Sequence, residues 1–321
     1  MAIHGLPLER PAPPQPPTPI EWMRVSVSRG GVELLLDEGA ATGWIIMPGV
    51  QGVSTPATAL LEQRAAGQWG SYRTGVDVPA REVFFPLHLQ TGGHSELLAE
   101  LDRFHALTSP YSDEPVRLTV QRPGGHERSI EGFRTSAPQT QDASTWQPTA
   151  GWAAVELTLT CPDPWWRGSP RTWSWEQGVQ PSFFDPRGNN TFLPLILAAD
   201  RLLGEPVVVP VPGDVPASPR WIVTGPASSV SATHVESGRS WTVNAALGVG
   251  ETLTVDTDPR VAATTGLSVV GPAGEDWFEY LEPPFDLWPL PVGEQSVTVG
   301  LAGSSAGSSA ALEITPLHET A

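Results

Sequence analysis

Val155-Glu156-Leu157-Thr158-Leu159-Thr160-Cys161 runs straight into Pro162-Asp163-Pro164-Trp165-Trp166-Arg167 near the middle of the chain. Val155, Leu157, Leu159 and Cys161 alternate with Glu156, Thr158 and Thr160, so one face of a strand is apolar and the other is wet. Pro162 and Pro164 have no amide to donate to a sheet and fix their own φ, which ends the strand there. The residues before this break read as a mixed β domain with a single helix. Those after it read as an all-β domain.

Upstream, Val25 and Val27, a turn at Arg29-Gly30-Gly31, and Val32, Leu34 and Leu36 form a hairpin pattern. A short apolar run, Trp44 to Met47, stops at Pro48-Gly49. Leu60 to Ala66 has helical propensity that Gly67, Gly70 and Gly75 interrupt, so the type of this stretch stays open. Val83 to Gln90 reads as a strand with Phe85, Leu87 and Leu89 on one side. A helix over about 95–108 follows, with Ser95 placed to cap it and Leu97, Leu98, Leu101, Phe104 and Leu107 recurring at three- and four-residue spacing. Val116 to Val120 and Ile130 to Arg134 flank a turn at Pro123-Gly124-Gly125 as a further hairpin.

Downstream, about eight short strands alternate with turn residues, as in a β-sandwich: 171–175, 207–211, 221–224, 230–234, 241–245, 253–256, 297–301 and 312–315. Gly303 to Ser309 reads as a flexible hairpin connection. Before all of this, seven prolines between Pro7 and Pro19 favour an extended polyproline arm. The division is then a Pro-rich arm at 1–21, a first domain at 22–164 and a second at 165–321.

The chain has 321 residues, a length that favours two domains. Its 32 glycines and 35 prolines suit many short strands joined by turns. The formal net charge is −17, and all 18 basic residues are arginine. Such a surface repels phosphate backbones and disfavours broad nucleic-acid binding, although DNA can slide past it. A single cysteine, Cys161, closes no intrachain disulfide. No basic start with an apolar run marks a signal peptide, and no apolar stretch is long enough to span a bilayer, so a soluble product is expected.

Catalytic patterns are weak. Gly303-Ser304-Ser305-Ala306-Gly307 has the Gly-x-Ser-x-Gly spacing, but only His318 and Glu319 follow it, which does not supply a triad. His88, His94 and His105 are scattered over a strand, a loop and a helix, without metal-site spacing. Asp256-Thr257-Asp258 reads as a solvated turn before Pro259, and Asn189-Asn190-Thr191 is a sequon without meaning unless secreted. Trp165, Trp166, Trp173 and Trp175 form the one candidate aromatic cluster. Trp173 and Trp175 share a strand face and can form a shelf for sugar rings; the alternative is that the four pack a joint or a subunit contact.

The order of hairpins, one amphipathic helix, a strand ending in Cys161-Pro162-Asp163-Pro164-Trp165-Trp166 and a β-sandwich resembles the distal tail (Dit-like, minor tail) proteins of long, non-contractile-tailed bacteriophages. Pro212-Gly213-Asp214-Val215-Pro216-Ala217-Ser218-Pro219, leading into Arg220 to Gly225, is similar to that family's Gly-Asp-x-Pro-x-x-Pro stretch. Leu253 to Thr257 is similar to its later strand. Val211-Pro212 stands where the family has an asparagine.

The resemblance implies a mainly β fold: an N-terminal sandwich or barrel-like domain with one packed helix, then a galectin-like C-terminal β-sandwich. It implies a structural virion protein at the distal end of the tail, made and assembled in the host cytoplasm. N-terminal domains of that family join in a ring, typically a hexamer. The ring links the tail tube protein to the tail-tip hub or tail-associated protein, and passes the tape-measure protein and then DNA without binding it specifically. No enzymatic activity, cofactor, metal or membrane is implied. The alternative is a carbohydrate-binding adhesin or receptor-binding module of a tail tip that uses surface tryptophans.

Overall fold

The computed structural model describes residues 23–37, 43–135, 151–176, 204–305 and 307–321. The Pro-rich arm and the Asn189 sequon lie outside these residues. The fold is mainly β.

Strands β1 (Arg24–Arg29) and β2 (Val32–Leu35) form the first hairpin, with Ser26 opposite Leu35 and Arg29 opposite Val32. β3 (Gly43–Ile46) follows. The stretch whose type was open is a second hairpin, β4 (Ala59–Gln63) and β5 (Tyr72–Asp77), with a register shift between Leu61 and Glu62. Local pairing wins over helical propensity here: Leu60 faces Val76, Leu61 lies over Gly75, and the Thr74 hydroxyl donates to the Leu61 carbonyl at 3.0 Å.

β6 (Arg81–Gln90) alternates strictly, burying Arg81, Val83, Phe85, Leu87 and Leu89. Helix α1 (His94–Leu107) buries Leu97, Phe104 and Leu107. Ser95 does not cap it. The helix starts one residue earlier, its N-cap is Gly93, and the Glu96 carboxylate reaches back to accept the Gly92 amide at 2.9 Å. Leu98 faces solvent, so the apolar stripe is narrower than its spacing indicated. The Phe104 ring packs on Trp44 with centroids 4.8 Å apart, which seats the helix on the sheet.

β7 (Val116–Gln121), β8 (Glu127–Arg134), β9 (Trp152–Cys161) and β10 (Trp166–Gly168) complete this half. The strand order is β2-β1-β7-β8-β9-β6-β3. β8 pairs along one edge with β7; on its other edge Phe133 and Arg134 pair with β9, whereas Arg128 and Ser129 pair with β10. Splitting one edge between two partners curls the sheet around its core. That core gathers Val27, Trp44, Val83, Phe104, Leu118, Leu157, Cys161 and Trp166 among others.

The second half is a sandwich. β11 (Arg171–Glu176), β12 (Val207–Val211), β13 (Arg220–Thr224), β14 (Ser229–His234), β15 (Ser240–Val243), β16 (Thr252–Asp256), β17 (Val269–Val270), β18 (Gly293–Ala302) and β19 (Ser309–Ile314) build two sheets. One has the order β11-β19-β13-β16-β17 and the other β12-β18-β14-β15. The Gly303 to Ser309 link is therefore no hairpin: it carries the chain from one sheet to the facing one. A short helix α2 (Pro259–Thr265) follows the Asp256-Thr257-Asp258 stretch, with Asp258 accepting the Arg260 amide as N-cap and Pro259 in the first turn; that stretch is less solvated than expected, since Thr257 is buried.

Between the sheets, Trp221 is the centre of a tryptophan cluster. Its ring centroid lies 6.1 Å from Trp175, 5.9 Å from Trp241 and 5.9 Å from Trp288, the last two edge to face. Such pairs add about 0.5–1.5 kcal/mol each beyond the area they bury.

The last strand, β20 (Leu317–His318), leaves the sandwich and pairs with β10 in the first sheet.

Candidate assembly surfaces

The four tryptophans of the candidate aromatic cluster are packing residues. Trp166 lies in the first core, and Trp173 and Trp175 lie in the second, at 0%, 9% and 0% exposure respectively. Trp165 is partly buried against the second core. A ring that stacks on a sugar must offer a free face, and Trp166, Trp173 and Trp175 offer none. Alternation placed Trp173 and Trp175 correctly on one face, but that face is the interior.

Trp165 and Trp166 instead mark the junction of the two cores, and a charged cluster surrounds it. Arg167 grips Asp163 through Nε at 3.2 Å and Nη2 at 2.9 Å. From the sandwich, Arg260 also pairs with Asp163, and its Nη2 reaches Asp258 at 2.7 Å. Burial by itself raises the Asp258 carboxyl, but hydrogen bonds from Arg260 and the charges of Arg260 and Arg167 outweigh it and hold the group below its ordinary value. Asp256 is moved the other way, upward, by burial first and by the nearby Asp258 and Glu313 charges.

The end of the chain forms a strap across the same junction. Gly168 donates to the Pro316 carbonyl at 2.9 Å, and Ala321 donates to the Val53 carbonyl at 2.8 Å. Arg81 donates to the Glu319 carbonyl at 2.9 Å, Arg128 to the Thr320 carbonyl at 2.7 Å, and Arg122 to the Thr320 hydroxyl at 3.1 Å. The Gly213-Asp214 pair is what holds the strap from the sandwich side. Gly213 has φ of 117°, and a Cβ there would meet the Leu317 carbonyl at 2.5 Å. Asp214 accepts the Glu319 amide at 3.2 Å and lies 3.4 Å from His318 Nδ1. The sequence identified this pair only as a motif; the contact that requires it joins residues about a hundred positions apart, which no local pattern can reveal.

Two further surface features were missed. The β4–β5 hairpin buries none of its residues, pairs only with itself, and exposes Leu60, Leu61, Tyr72 and Val76, with Trp69 at its turn 96% exposed. Second, a cleft of about 660 Å³ opens on the first sheet between Arg29, Glu33, Glu114, Arg117, Glu127 and Glu131. Its walls come from the β1–β2 turn, the approach to β7 and the outward residues of β7 and β8.

The described residues hold no group of three or more His, Cys, Asp or Glu side chains that could hold a metal ion. No described helix is long and apolar enough to cross a membrane.

No protein-family model and no curated protein matches the chain. Solved structures do. The chain is similar to the crystal structure of the SPP1 Dit (gp 19.1) protein, described as a paradigm of the hub adsorption apparatus in phages infecting Gram-positive bacteria. That likeness has 15% identity and a TM-score of 0.59 and covers 90% of this chain and 98% of the other. It is also similar to a chain of the phage P2 baseplate in its activated conformation with Ca, at 9% identity and a TM-score of 0.51, over 92% and 98% of the two chains. The chain thus has the mainly β, Dit-like fold over nearly its whole length, as the resemblance in its sequence implied.

Proposed function

We propose that this protein is a structural component of a bacteriophage tail, a distal tail hub that assembles into a ring, typically of six copies, and joins the tail tube to the baseplate or tail tip. The observation that carries this reading is the shared fold with a phage hub protein along almost all of both chains. Residues 22–164 form the ring, with Trp166–Gly168 and Leu317–His318 added to their sheet, and the sandwich from 165 onward projects outward. The tape-measure protein and then DNA pass through the hole. A wall with the chain's net charge of −17 does not retain DNA. The protein acts in the virion, without catalysis or cofactor.

Light scattering on a sizing column, with negative-stain imaging of the same peak, tests this. A closed ring with a central hole is the expected result. A compact monomer at every concentration removes self-assembly as the basis of the reading. For the lumen, reversing carboxylates that line it should slow DNA ejection, and unchanged ejection kinetics would remove that part.

A further inference from the structure

We infer that His318 is an acid-sensitive catch: a proton on its imidazole sets it against Arg128 and Arg122 and loosens the closing strand from the first sheet. The catch lies within one chain and needs no ring.

Strand register places the imidazole. In β20, His318 lies opposite Trp166 of β10, and two residues along β10, Gly168 lies opposite Arg128 of β8. Residues two apart in a strand share a face, and so do residues directly opposed, so His318, Gly168 and Arg128 point to one side. Gly168 has no side chain to fill that row, and the imidazole takes the space: a Cβ there would lie 3.2 Å from His318 Nε2. Two residues beyond the ring, the Thr320 hydroxyl oxygen receives Arg128 Nη1 at 3.0 Å and Arg122 Nη2 at 3.1 Å. Both guanidiniums therefore hold the strap close to the imidazole.

These surroundings favour an uncharged ring. The His318 side chain is 16% exposed, and its Nδ1 is buried without a hydrogen bond, 3.4 Å from Asp214 Oδ2. The charged groups that face it are Arg128 from β8, Arg122 from the end of β7 and Asp214 from the loop after β12. Of its other neighbours, Arg167 of β10 turns to Asp163, Glu319 offers its backbone to Arg81 and Asp214, and the Ala321 oxygen is taken by Arg122. Two cations thus face one side-chain carboxylate, which is half exposed, where water weakens its pull. Burial first, and then the Arg128 charge, lower the imidazole from its ordinary 6.5.

Released from the sheet, the imidazole regains its ordinary value, so the open strap takes up a proton that the closed one resists. The stability that His318 contributes is therefore present above pH 6.5 and is lost as pH falls toward the folded value. Between pH 7.5 and 5.5, opening should become several-fold more populated, with about tenfold as the ceiling. Because Asp214 bonds to Leu317 and Glu319, release of the strap also frees the Gly213-Asp214 turn of the sandwich from the first sheet.

Hydrogen exchange of the full chain, read by mass spectrometry and divided by intrinsic rates, tests this at pH 7.5 and 5.5 in wild type and His318→Gln. The reporters are peptides carrying the amides of Gly168, Asp214 and Glu319, which bond to Pro316, Leu317 and Asp214. At pH 7.5 the two proteins should exchange alike. At pH 5.5 the wild-type strap should open several-fold more often than that of the variant, with β13 unchanged in both. An equal acid response in the two proteins, no response, or slower opening in acid overturns the catch.

If His318→Gln is already loose at pH 7.5, Asp214→Asn decides, since it keeps an oxygen for the Glu319 amide and removes the attracting charge. Its acid response should equal or exceed that of the wild type. A smaller response would show that Asp214, and not His318, takes up the proton, and the catch would be overturned.

Discussion

Arg260, in the short helix of the sandwich, reaches Asp163, in the Pro162–Pro164 link that leaves the first sheet. Asp163 also receives Arg167, so one carboxylate ties the link to both of its neighbours. The side chains of Asp163 and Asp258 are mostly buried, whereas Arg260 is 43% exposed, and water screens part of its contribution.

Removing the cation should therefore cost less than breaking a fully buried pair. Arg260→Ala is expected to lower unfolding stability at neutral pH by about 1–2 kcal/mol, read as a shift of the urea midpoint with unchanged slope. The sign with pH follows from Asp258. Its folded pKa lies below the ordinary 3.8, so its stabilisation is present above that value and is lost as pH falls through the folded one. The gap between wild type and Arg260→Ala should narrow below pH 3.8. A gap that stays constant through acid would show that Arg260 acts by packing alone.

Asp256 should behave in the opposite way. Its raised pKa means that the ionised form is disfavoured by folding, so the charge costs stability at neutral pH and the cost disappears as pH falls below the ordinary 3.8. Asp256→Asn keeps an oxygen acceptor for the Asp258 amide, now at 2.9 Å. It should raise the neutral-pH midpoint slightly and have no effect in acid. A loss of stability at neutral pH would contradict the assignment.

Cys161 should be silent toward thiol reagents in the native protein. It is fully buried, and burial pushes its thiol up to about 12, well away from the reactive thiolate. Modification should follow only the opening of the first sheet, at a rate set by denaturant. Gly132→Ala should speed it, since a methyl there would lie 2.7 Å from Cys161 Sγ and 2.8 Å from the Thr160 carbonyl. We expect a loss of about 1–3 kcal/mol from that overpacking, measured by the same urea titration.

The strap gives the fourth test. Deleting Glu319–Ala321 removes acceptors from Arg81, Arg122 and Arg128, and Arg81 is nearly buried. Arg81 keeps the Gly52 carbonyl as an acceptor at 3.3 Å, so what it loses is one charged hydrogen bond, worth about 1.5–3 kcal/mol, and the loss should appear in the first sheet's transition. Gly213→Ala, which obstructs Leu317 from the sandwich side, should reproduce part of it. Full stability in both variants would make the strap ornamental.

Where burial follows a short local period, the sequence was legible. Val83 to Leu89, the apolar residues Val155, Leu157, Leu159 and Cys161, and the alternation of Trp173 with Trp175 point inward as their spacing requires, although Thr158, on the face read as wet, is buried too. What stayed hidden depends on partners distant in the chain. The type of 60–74 turned on strand pairing across a tip with mixed propensities. The sheet change after Gly303 turned on which neighbour β19 finds, and the roles of Asp163 and Gly213 turned on Arg260 and Leu317. The tryptophans show the limit most directly: alternation reveals that two rings share a face, but not whether that face is wet.

The return of the final strand to the first sheet also has a mechanical consequence. The sandwich is tied to the first sheet at β10 and again at the antiparallel strand beside it, so a force on the sandwich is shared by two tethers in place of one. Two attachment lines resist twisting as well as pulling. A torque applied to the sandwich is thus delivered to the first sheet, not dissipated in a swivel.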